Sequence, residues 1–156
     1  MAIEARIVAL LHAAGAEFTT LEHRAVRDAT DAAQARGTPL SMGGKALVMK
    51  VGTAFAVFAL PADRTVDNRA LRTHLHVRRY RFATADELSA LTGLTPGAVP
   101  PFGRPVVDLP LYVDTTLAST STVAFTPGVH TRSLVVPTAD WLRAARPTDV
   151  FAFASR

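Results

Sequence analysis

The chain has 156 residues, 49% of them hydrophobic, and a mean hydropathy of +0.20. These values exclude a disordered chain and predict a single domain, residues 1–156, with a sizeable core. The absence of cysteine excludes disulfides, Cys-based zinc sites and a cysteine nucleophile. The net charge of +4 favours a polyanionic partner, and 15 arginines but only two lysines carry the positive charge.

The apolar runs are short and are interrupted by charges, which argues against a membrane-spanning segment. Residues 1–15 contain Glu4 and lack a basic region before their apolar stretch, so they predict an amphipathic helix and not a signal peptide. We therefore expect a cytoplasmic protein with no membrane partner.

The first third of the chain alternates between helix and strand patterns. Apolar residues at helical spacing predict a first helix over 3–14. A strand-like segment over 17–26 precedes a short helix that Thr30 caps and Gly37 ends. Two β-rich runs about a Gly-Thr turn then predict a hairpin over 45–60.

The rest of the chain continues with capped helices and hairpins. Asp67 can cap a helix over 68–75, and Thr84 with Glu87 has capping-box spacing after a short strand over 77–83. A loop rich in proline and glycine follows over 94–105, and a strand follows over 106–117. The chain then continues with a hairpin over 121–136 that turns at a Pro-Gly pair and with a closing helix over 138–146. The pattern predicts an α/β (α+β) domain with a mixed, largely antiparallel β-sheet or partial barrel flanked by helices.

The segment 41–52 contains a Gly-Gly-Lys motif that matches a phosphate-binding loop only in part. Pro39 stands where that loop needs its first glycine, Ala46 stands where it needs Ser or Thr, and a β-rich run follows where it needs a helix. We reject this interpretation. His74 and His76 have no third ligand nearby, so solvated or nucleic-acid-facing histidines are favoured over a metal site.

Both lysines of the chain lie in this same segment. On a regular strand Lys45 and Lys50 point to opposite faces, so at least one amine borders apolar surface. Desolvation there lowers a lysine pKa unless an anionic ligand holds the charge. The two glycines before Lys45 leave space for a ligand beside the backbone, so Lys45 is the candidate site residue and Lys50 is expected to reach water.

A basic tract with two interleaved aromatic residues follows, and it contains Arg69, Arg72, Arg78, Arg79 and Arg81. This composition suits a phosphate backbone with stacked bases. A solvated helix face that runs into an edge strand explains the same pattern equally well.

Four groups of segments, in this order, resemble the YbaK/prolyl-tRNA-synthetase-associated domain family of aminoacyl-tRNA editing deacylases. They are EHRAV with TDAAQARG, GGKALVMKV, GAVPPFG, and VDTTLAST with VAFTPGVHTRSLVV. The resemblance implies a stand-alone domain that hydrolyses the ester joining a wrong amino acid to the 3′ end of tRNA. It implies a small amino acid, such as alanine, proline or cysteine. The turn TPGVHT differs from the Gly-Gly-Lys-type turn of some members, which leaves the choice of amino acid open.

The resemblance also implies the site residues. Lys45 corresponds to the family's functional lysine, and the catalytic set implied with it is Gly97, Pro100, Gly128 and His130. The implied substrate-binding residues are His23, Gly44, Pro101, Phe102, Gly103 and Asp114. No metal and no cofactor are implied. The implied partner is the acceptor 3′ end of aminoacyl-tRNA, with recruitment by an aminoacyl-tRNA synthetase left open.

An aminoacyl ester is already reactive, so such a site mainly has to orient a water and stabilise an oxyanion through backbone N–H groups. We expect Lys45 to bind substrate or supply charge and not to act as a general base, because an amine beside a polyanion stays protonated. Phe102 is a candidate wall for stacking on the 3′ end. Two alternatives remain, a non-catalytic RNA-binding module that uses the basic tract and a pocket for a small molecule or peptide.

Overall fold

The computed structural model describes residues 2–156. Within these residues the helices are α1 (Ile3–Ala13), α2 (Ala29–Arg36), α3 (Asn68–Leu75), α4 (Ala85–Thr92), α5 (Thr115–Ala118) and α6 (Thr138–Ala145). A 3₁₀ turn, Leu40–Met42, joins α2 to the first long strand. The strands are β1 (Thr19–Glu22), β2 (Gly44–Val51), β3 (Ala54–Pro61), β4 (Thr65–Val66), β5 (Tyr80–Phe82), β6 (Leu111–Asp114), β7 (Thr122–Phe125), β8 (Arg132–Pro137), β9 (Asp149–Phe151) and β10 (Ala154–Ser155).

The main sheet has the strand order β5-β2-β3-β6-β9, beside a three-stranded sheet β1-β8-β7 and the pair β10-β4. The pairings β3–β6 and β6–β9 are parallel, and the other strand pairings in the described residues are antiparallel. A bridge between Gly43 and Ala124 connects the start of β2 to β7 and so joins the two larger sheets. The expected mixed, largely antiparallel sheet with flanking helices is confirmed.

The main sheet is buried on both faces, which explains why β2 and β3 are apolar almost throughout. Val48 and Val57 pair across the two strands and belong to the cluster that contains Trp141 and the buried residues of α1. On the opposite face, Met49 and Phe58 belong to a second cluster that is closed by α3 and the C-terminal segment. None of the helices within residues 2–156 combines the length and hydropathy of a membrane span.

Most local signals in the sequence correspond to observed caps and turns. The β2–β3 hairpin, the Asp67 cap of α3 and the Thr84–Glu87 capping box are all present, and Gly37 ends α2 in the left-handed conformation. The predicted cap of α2 is wrong. Asp28, and not Thr30, caps this helix, because the Asp28 carboxylate accepts the backbone N–H of Asp31 and the helix begins at residue 29.

Candidate active site

A cavity of about 170 Å³ lies between α2 and the beginning of β2. Small side chains form much of its wall, namely Ala29, Ala32, Ala46 and Ala62. The polar side chains that line it are Asp28, Arg36, Lys45 and Thr126. The cavity thus has apolar walls and a few convergent polar groups, the usual composition of a small-molecule site.

Lys45 reaches this cavity from β2 with its side chain half-buried. Burial lowers the pKa of its amine, and the nearby charge of Asp63 partly opposes this shift. The regular pairing of β2 with β3 puts Lys50 on the other face, where its amine lies 5.8 Å from the ring centroid of Phe55. The two lysines therefore serve different surfaces, as the strand alternation predicts.

Gly44 precedes Lys45 and lets β7 approach β2 closely. A Cβ at Gly44 would lie 2.8 Å from a methyl carbon of Val123, a distance too short for normal packing. Gly44 also lines the cavity, so the absence of its side chain serves both the sheet contact and the open wall beside Lys45.

Arg36 is a second cation in the same cavity. Its Nε donates to Oγ of Ser133 at 2.7 Å, and burial lowers the pKa of the guanidinium to about 10. Nε2 of His23 lies 2.8 Å from the same Ser133 oxygen. His23, which the resemblance assigns to substrate binding, therefore contacts the partner of Arg36 and is not itself part of the cavity wall.

Gly97 brings the backbone of the 94–105 loop to the cavity. Its φ is +86°, and a Cβ there would lie 2.7 Å from the carbonyl oxygen of Arg27, so only glycine fits without strain. Within residues 2–156 the backbone N–H groups of Gly97 and Val99 donate no hydrogen bond, which leaves both available to a ligand. Two residues of the loop that line the cavity thus have backbone N–H groups without a partner in the described residues.

Asp31 holds the segment that Gly97 packs against. Its buried carboxylate accepts from Nη2 of Arg24 at 2.7 Å and from the backbone N–H of Arg27 at 3.0 Å. The hydrogen bond from Arg24, followed by the one from the Arg27 backbone, holds the pKa of Asp31 far below its usual range. Asp31 thus holds the backbone at Arg27, the residue whose carbonyl oxygen lies closest to Gly97.

His130 and Gly128 lie behind this loop and not in the cavity wall. Nε2 of His130 is 3.0 Å from Oγ1 of Thr95, and its Cε1 is 3.9 Å from the position of a Cβ on Gly97. Gly128 has a φ of +90° and packs against Ile3. The structure brings His130 beside the loop, where it can position Gly97.

The segment Pro100–Gly103 continues from the cavity into the core. Nε1 of the buried Trp141 donates to the Pro101 carbonyl at 3.0 Å, and a Cβ at Gly103 would lie 2.6 Å from a backbone oxygen. Phe102 is 1% exposed and packs edge-on against Phe125. The expectation that Phe102 forms a stacking wall for the 3′ end is therefore wrong, because its ring is enclosed by other core side chains.

Asp114 has a different role from the substrate-binding one that the resemblance implies. Its carboxylate is 1% exposed and accepts backbone N–H groups of Thr116, Phe153 and Ala154, each at 2.9 Å. It therefore caps α5 and anchors the C-terminal segment. It does not line the cavity.

The basic tract forms a separate groove of about 830 Å³. The groove is lined by Lys50, Gly52, Asn68, Arg72, Arg78, Arg79, Tyr80, Arg81 and Phe82. Phe82 is 59% exposed, and Arg81 pairs with Glu87 at 2.7 Å. Arg69 lies outside this groove and lines an adjoining depression with Arg72 and Arg78. The tract thus forms a basic surface with an exposed aromatic ring.

The sequence analysis did not identify three of the polar cavity residues, Asp28, Arg36 and Thr126. Arg36 lies in the last turn of an alanine-rich helix, where a cation is favourable for the helix dipole alone and so carries no functional signal.

His74 stacks on Phe151 and bonds Asp149, and residues 2–156 contain no cluster of potential metal ligands.

Comparisons with known proteins identify the family and the fold of the chain. The family model described as the aminoacyl-tRNA editing domain matches residues 23–144. The chain is 38% identical over 148 residues to the multifunctional Ser/Thr-tRNA deacylase ProXp-y of Escherichia coli (strain K12), covering 91% of this chain and 87% of that protein. It is 32% identical over 107 residues to the proline--tRNA ligase of Shouchella clausii (strain KSM-K16), covering 67% of this chain and 19% of the ligase.

Two solved structures have the same fold. A proposed trans-editing enzyme for prolyl tRNA synthetase superposes with a TM-score of 0.80 at 24% identity, covering 98% of this chain and 97% of that one. A hypothetical protein superposes with a TM-score of 0.84 at 21% identity, covering 96% of this chain and 99% of that one. The chain belongs to the aminoacyl-tRNA editing domain family.

Proposed function

We propose that the chain hydrolyses the ester bond of seryl- or threonyl-tRNA in trans, with the reaction taking place in the cavity that contains Lys45. The family and the deacylase relative make the chain an aminoacyl-tRNA deacylase. The choice of serine and threonine rests on the relative's substrates. It is supported by the size of the cavity and by the hydroxyl of Thr126, which can both donate to and accept from the substrate hydroxyl.

The observation that carries the proposal is that Lys45 lines one cavity with small walls together with Gly97 and Val99, whose backbone N–H groups have no partner in the described residues. Water attacks the ester carbonyl carbon, the carbonyl oxygen becomes an oxyanion, and collapse expels the ribose oxygen, which takes up a proton. In this proposal the N–H groups of Gly97 and Val99 stabilise the oxyanion, and Lys45 adds positive charge. The neighbouring ribose hydroxyl can assist the proton transfer, so no side-chain base is required.

The basic groove supports binding of the tRNA acceptor end. Lys45 and Lys50 are five residues apart on β2, about 17 Å along an extended strand, and they lie on opposite faces of it. One acceptor end that binds in both the groove and the cavity must therefore pass around the strand. The arginines neutralise phosphates, and the exposed ring of Phe82 offers a stacking surface. We infer a divided arrangement in which the groove binds RNA and the cavity binds the aminoacyl group.

The similarity to a segment of a proline--tRNA ligase supports a further part of the proposal, that the chain works beside a synthetase. Co-sedimentation of the purified chain with seryl-, threonyl- and prolyl-tRNA synthetases, with and without tRNA, tests this association. No co-sedimentation under any of these conditions would contradict it.

The main test measures deacylation of tRNA charged with serine, threonine, alanine, cysteine or proline. We expect turnover of seryl- and threonyl-tRNA, with Lys45→Ala lowering kcat by about 10²–10³-fold, the range for loss of one oxyanion-stabilising group. Lys45→Arg should also fail, because a planar guanidinium on a longer side chain does not place its charge where the compact ammonium of Lys45 lies. Lys50→Ala is the matched control, with any loss confined to KM.

The outcomes separate the candidate functions. Full kcat in Lys45→Ala would contradict the assigned role of Lys45. Salt-dependent binding of tRNA without deacylation of any charged tRNA would favour the non-catalytic RNA-binding module. In that case Arg78→Ala together with Arg79→Ala should reduce the salt dependence of binding.

A further inference from the structure

Arg36 forms no ion pair within residues 2–156, although it lines a cavity. The one carboxylate in the cavity wall, that of Asp28, accepts the backbone N–H of Asp31 as the cap of α2 and is not bonded to Arg36. The Arg36 guanidinium makes one hydrogen bond in the described residues, from Nε to Ser133. Burial alone lowers the pKa of this group, with no carboxylate near enough to raise it. The terminal N–H groups of a half-buried guanidinium are costly to leave unpaired, so an anion from outside the chain is the natural partner.

A chain of hydrogen bonds fixes the direction of this side chain. Nδ1 of His23 lies 2.7 Å from the Arg24 carbonyl oxygen, which can only accept, so Nδ1 carries the proton and donates. Nε2 then accepts the Ser133 hydroxyl at 2.8 Å, and Ser133 Oγ accepts Nε–H of Arg36 at 2.7 Å. Ser133 is fully buried, and in this order its hydroxyl donates to His23 and accepts from Nε–H of Arg36, which leaves the terminal N–H groups of the guanidinium without a partner in the described residues.

The identity of the anion follows from the charges in the cavity. Hydrolysis creates one transient oxyanion, for which Lys45 and the loop N–H groups are available. A second cation in the same cavity therefore matches an anion that the substrate carries permanently. In an aminoacyl-tRNA that anion is the phosphodiester nearest the esterified 3′ nucleotide, and a guanidinium edge fits two phosphate oxygens at once.

We propose that Arg36 binds the phosphodiester nearest the esterified nucleotide of the tRNA, and that His23 and Ser133 are positioning residues for Arg36. This inference rests on the proposed deacylase function and adds a binding contact to it. Arg36 therefore acts on binding of the ground state, whereas Lys45 acts on the reaction.

The test compares two substrates, seryl-tRNA and 3′-O-seryl-adenosine, which has the same ester and no phosphate. Arg36→Ala should raise KM for seryl-tRNA by about 10- to 100-fold with kcat little changed, the equivalent of losing one charge-assisted contact of about 1.5–3 kcal/mol. Hydrolysis of seryl-adenosine should be unchanged. Arg143→Ala removes an arginine that pairs with Asp140 away from the cavity, and it controls for the change in net charge.

The positioning role has its own readout. Ser133→Ala keeps the charge of Arg36 but removes its orienting acceptor, so it should raise KM for seryl-tRNA less than Arg36→Ala does. The double variant should behave like Arg36→Ala alone, because the relay acts only through that guanidinium. Additive losses in the double variant would show that Ser133 acts independently of Arg36 and would overturn the positioning role.

The remaining outcomes either support or overturn the proposed contact between Arg36 and the phosphodiester. Equal losses on both substrates would place Arg36 at the reacting carbonyl and overturn the phosphate assignment, as would unchanged kinetics on seryl-tRNA. If the wild-type chain deacylates nothing, the proposed function fails, and binding of a short RNA ending in a free 3′-hydroxyl still tests Arg36 by fluorescence anisotropy. Weaker binding by Arg36→Ala than by Arg143→Ala supports the contact, and equal binding overturns it.

Discussion

Asp114 provides a sharp test of whether a residue implied by family resemblance acts on substrate or on the fold. Its Oδ1 accepts the N–H groups of Phe153 and Ala154, and its Oδ2 accepts that of Thr116. In Asp114→Asn the amide oxygen can keep the pair of bonds to the C-terminal segment. The amide nitrogen then faces the Thr116 N–H, so one charge-assisted bond is lost and two donors oppose each other.

The expected cost of Asp114→Asn is about 2–3 kcal/mol, from one lost charge-assisted bond and an unsatisfied donor. Asp114→Ala loses all three bonds, but water can reach Thr116 at the exposed start of α5, so we expect about 4–5 kcal/mol and not the full sum. For a chain of this length 1 kcal/mol corresponds to roughly 2–4 °C in Tm, so Asp114→Asn should lower Tm by about 5–10 °C.

The assay is thermal unfolding by circular dichroism, run beside deacylation kinetics well below the transition. We expect Asp114→Asn to be less stable and to keep kcat for seryl-tRNA within a few fold of the wild type. An unchanged Tm together with a large loss of kcat would refute the structural role and return Asp114 to the substrate site.

Two further predictions follow from the loop and from the capping box. Gly97→Ala should lower kcat for seryl-tRNA by at least about tenfold, because the φ of +86° strains any side chain and the new Cβ would lie 2.7 Å from the Arg27 carbonyl oxygen, so the loop must move. Gly93→Ala is the matched control: its φ is +74° but its Cβ would meet open space, so it should lower only stability. Equal activity of the two variants would refute this account of the loop. Glu87→Gln should lower Tm at neutral pH, and the difference in Tm between the variant and the wild type should disappear in acid. The hydrogen bonds from Arg81 and the Thr84 backbone hold the pKa of Glu87 at about 2, below its ordinary 4.5, so the stability that the carboxylate adds is present above about pH 4.5 and is lost as pH falls towards 2. The same variant releases Arg81 and should tighten tRNA binding at low salt, and a pH-independent difference in Tm would contradict the pKa assignment.

The fold is largely predictable from local signals because each acts over a few residues. The Thr84–Glu87 capping box, the Gly-Thr hairpin and the alternation that separates Lys45 from Lys50 each depend on backbone geometry over a few neighbouring residues. The α2 cap shows the limit of such reasoning, since Asp28 and Thr30 both suit the position and only the observed bond to the Asp31 N–H distinguishes them.

Sequence patterns alone identified the family, because it depends on residue types in a fixed order. The same patterns predicted a site at Lys45 and at the glycine-rich loop, and these remain predictions. The tertiary structure decided which of those residues reach the cavity. Arg36 became a site residue only when β8 brought Ser133 against it, 97 positions away in the chain, and Phe102 became a core residue only when Phe125 and its neighbours enclosed it. Burial and unpaired charge arise from contacts between distant segments, so no local pattern in the sequence could show them.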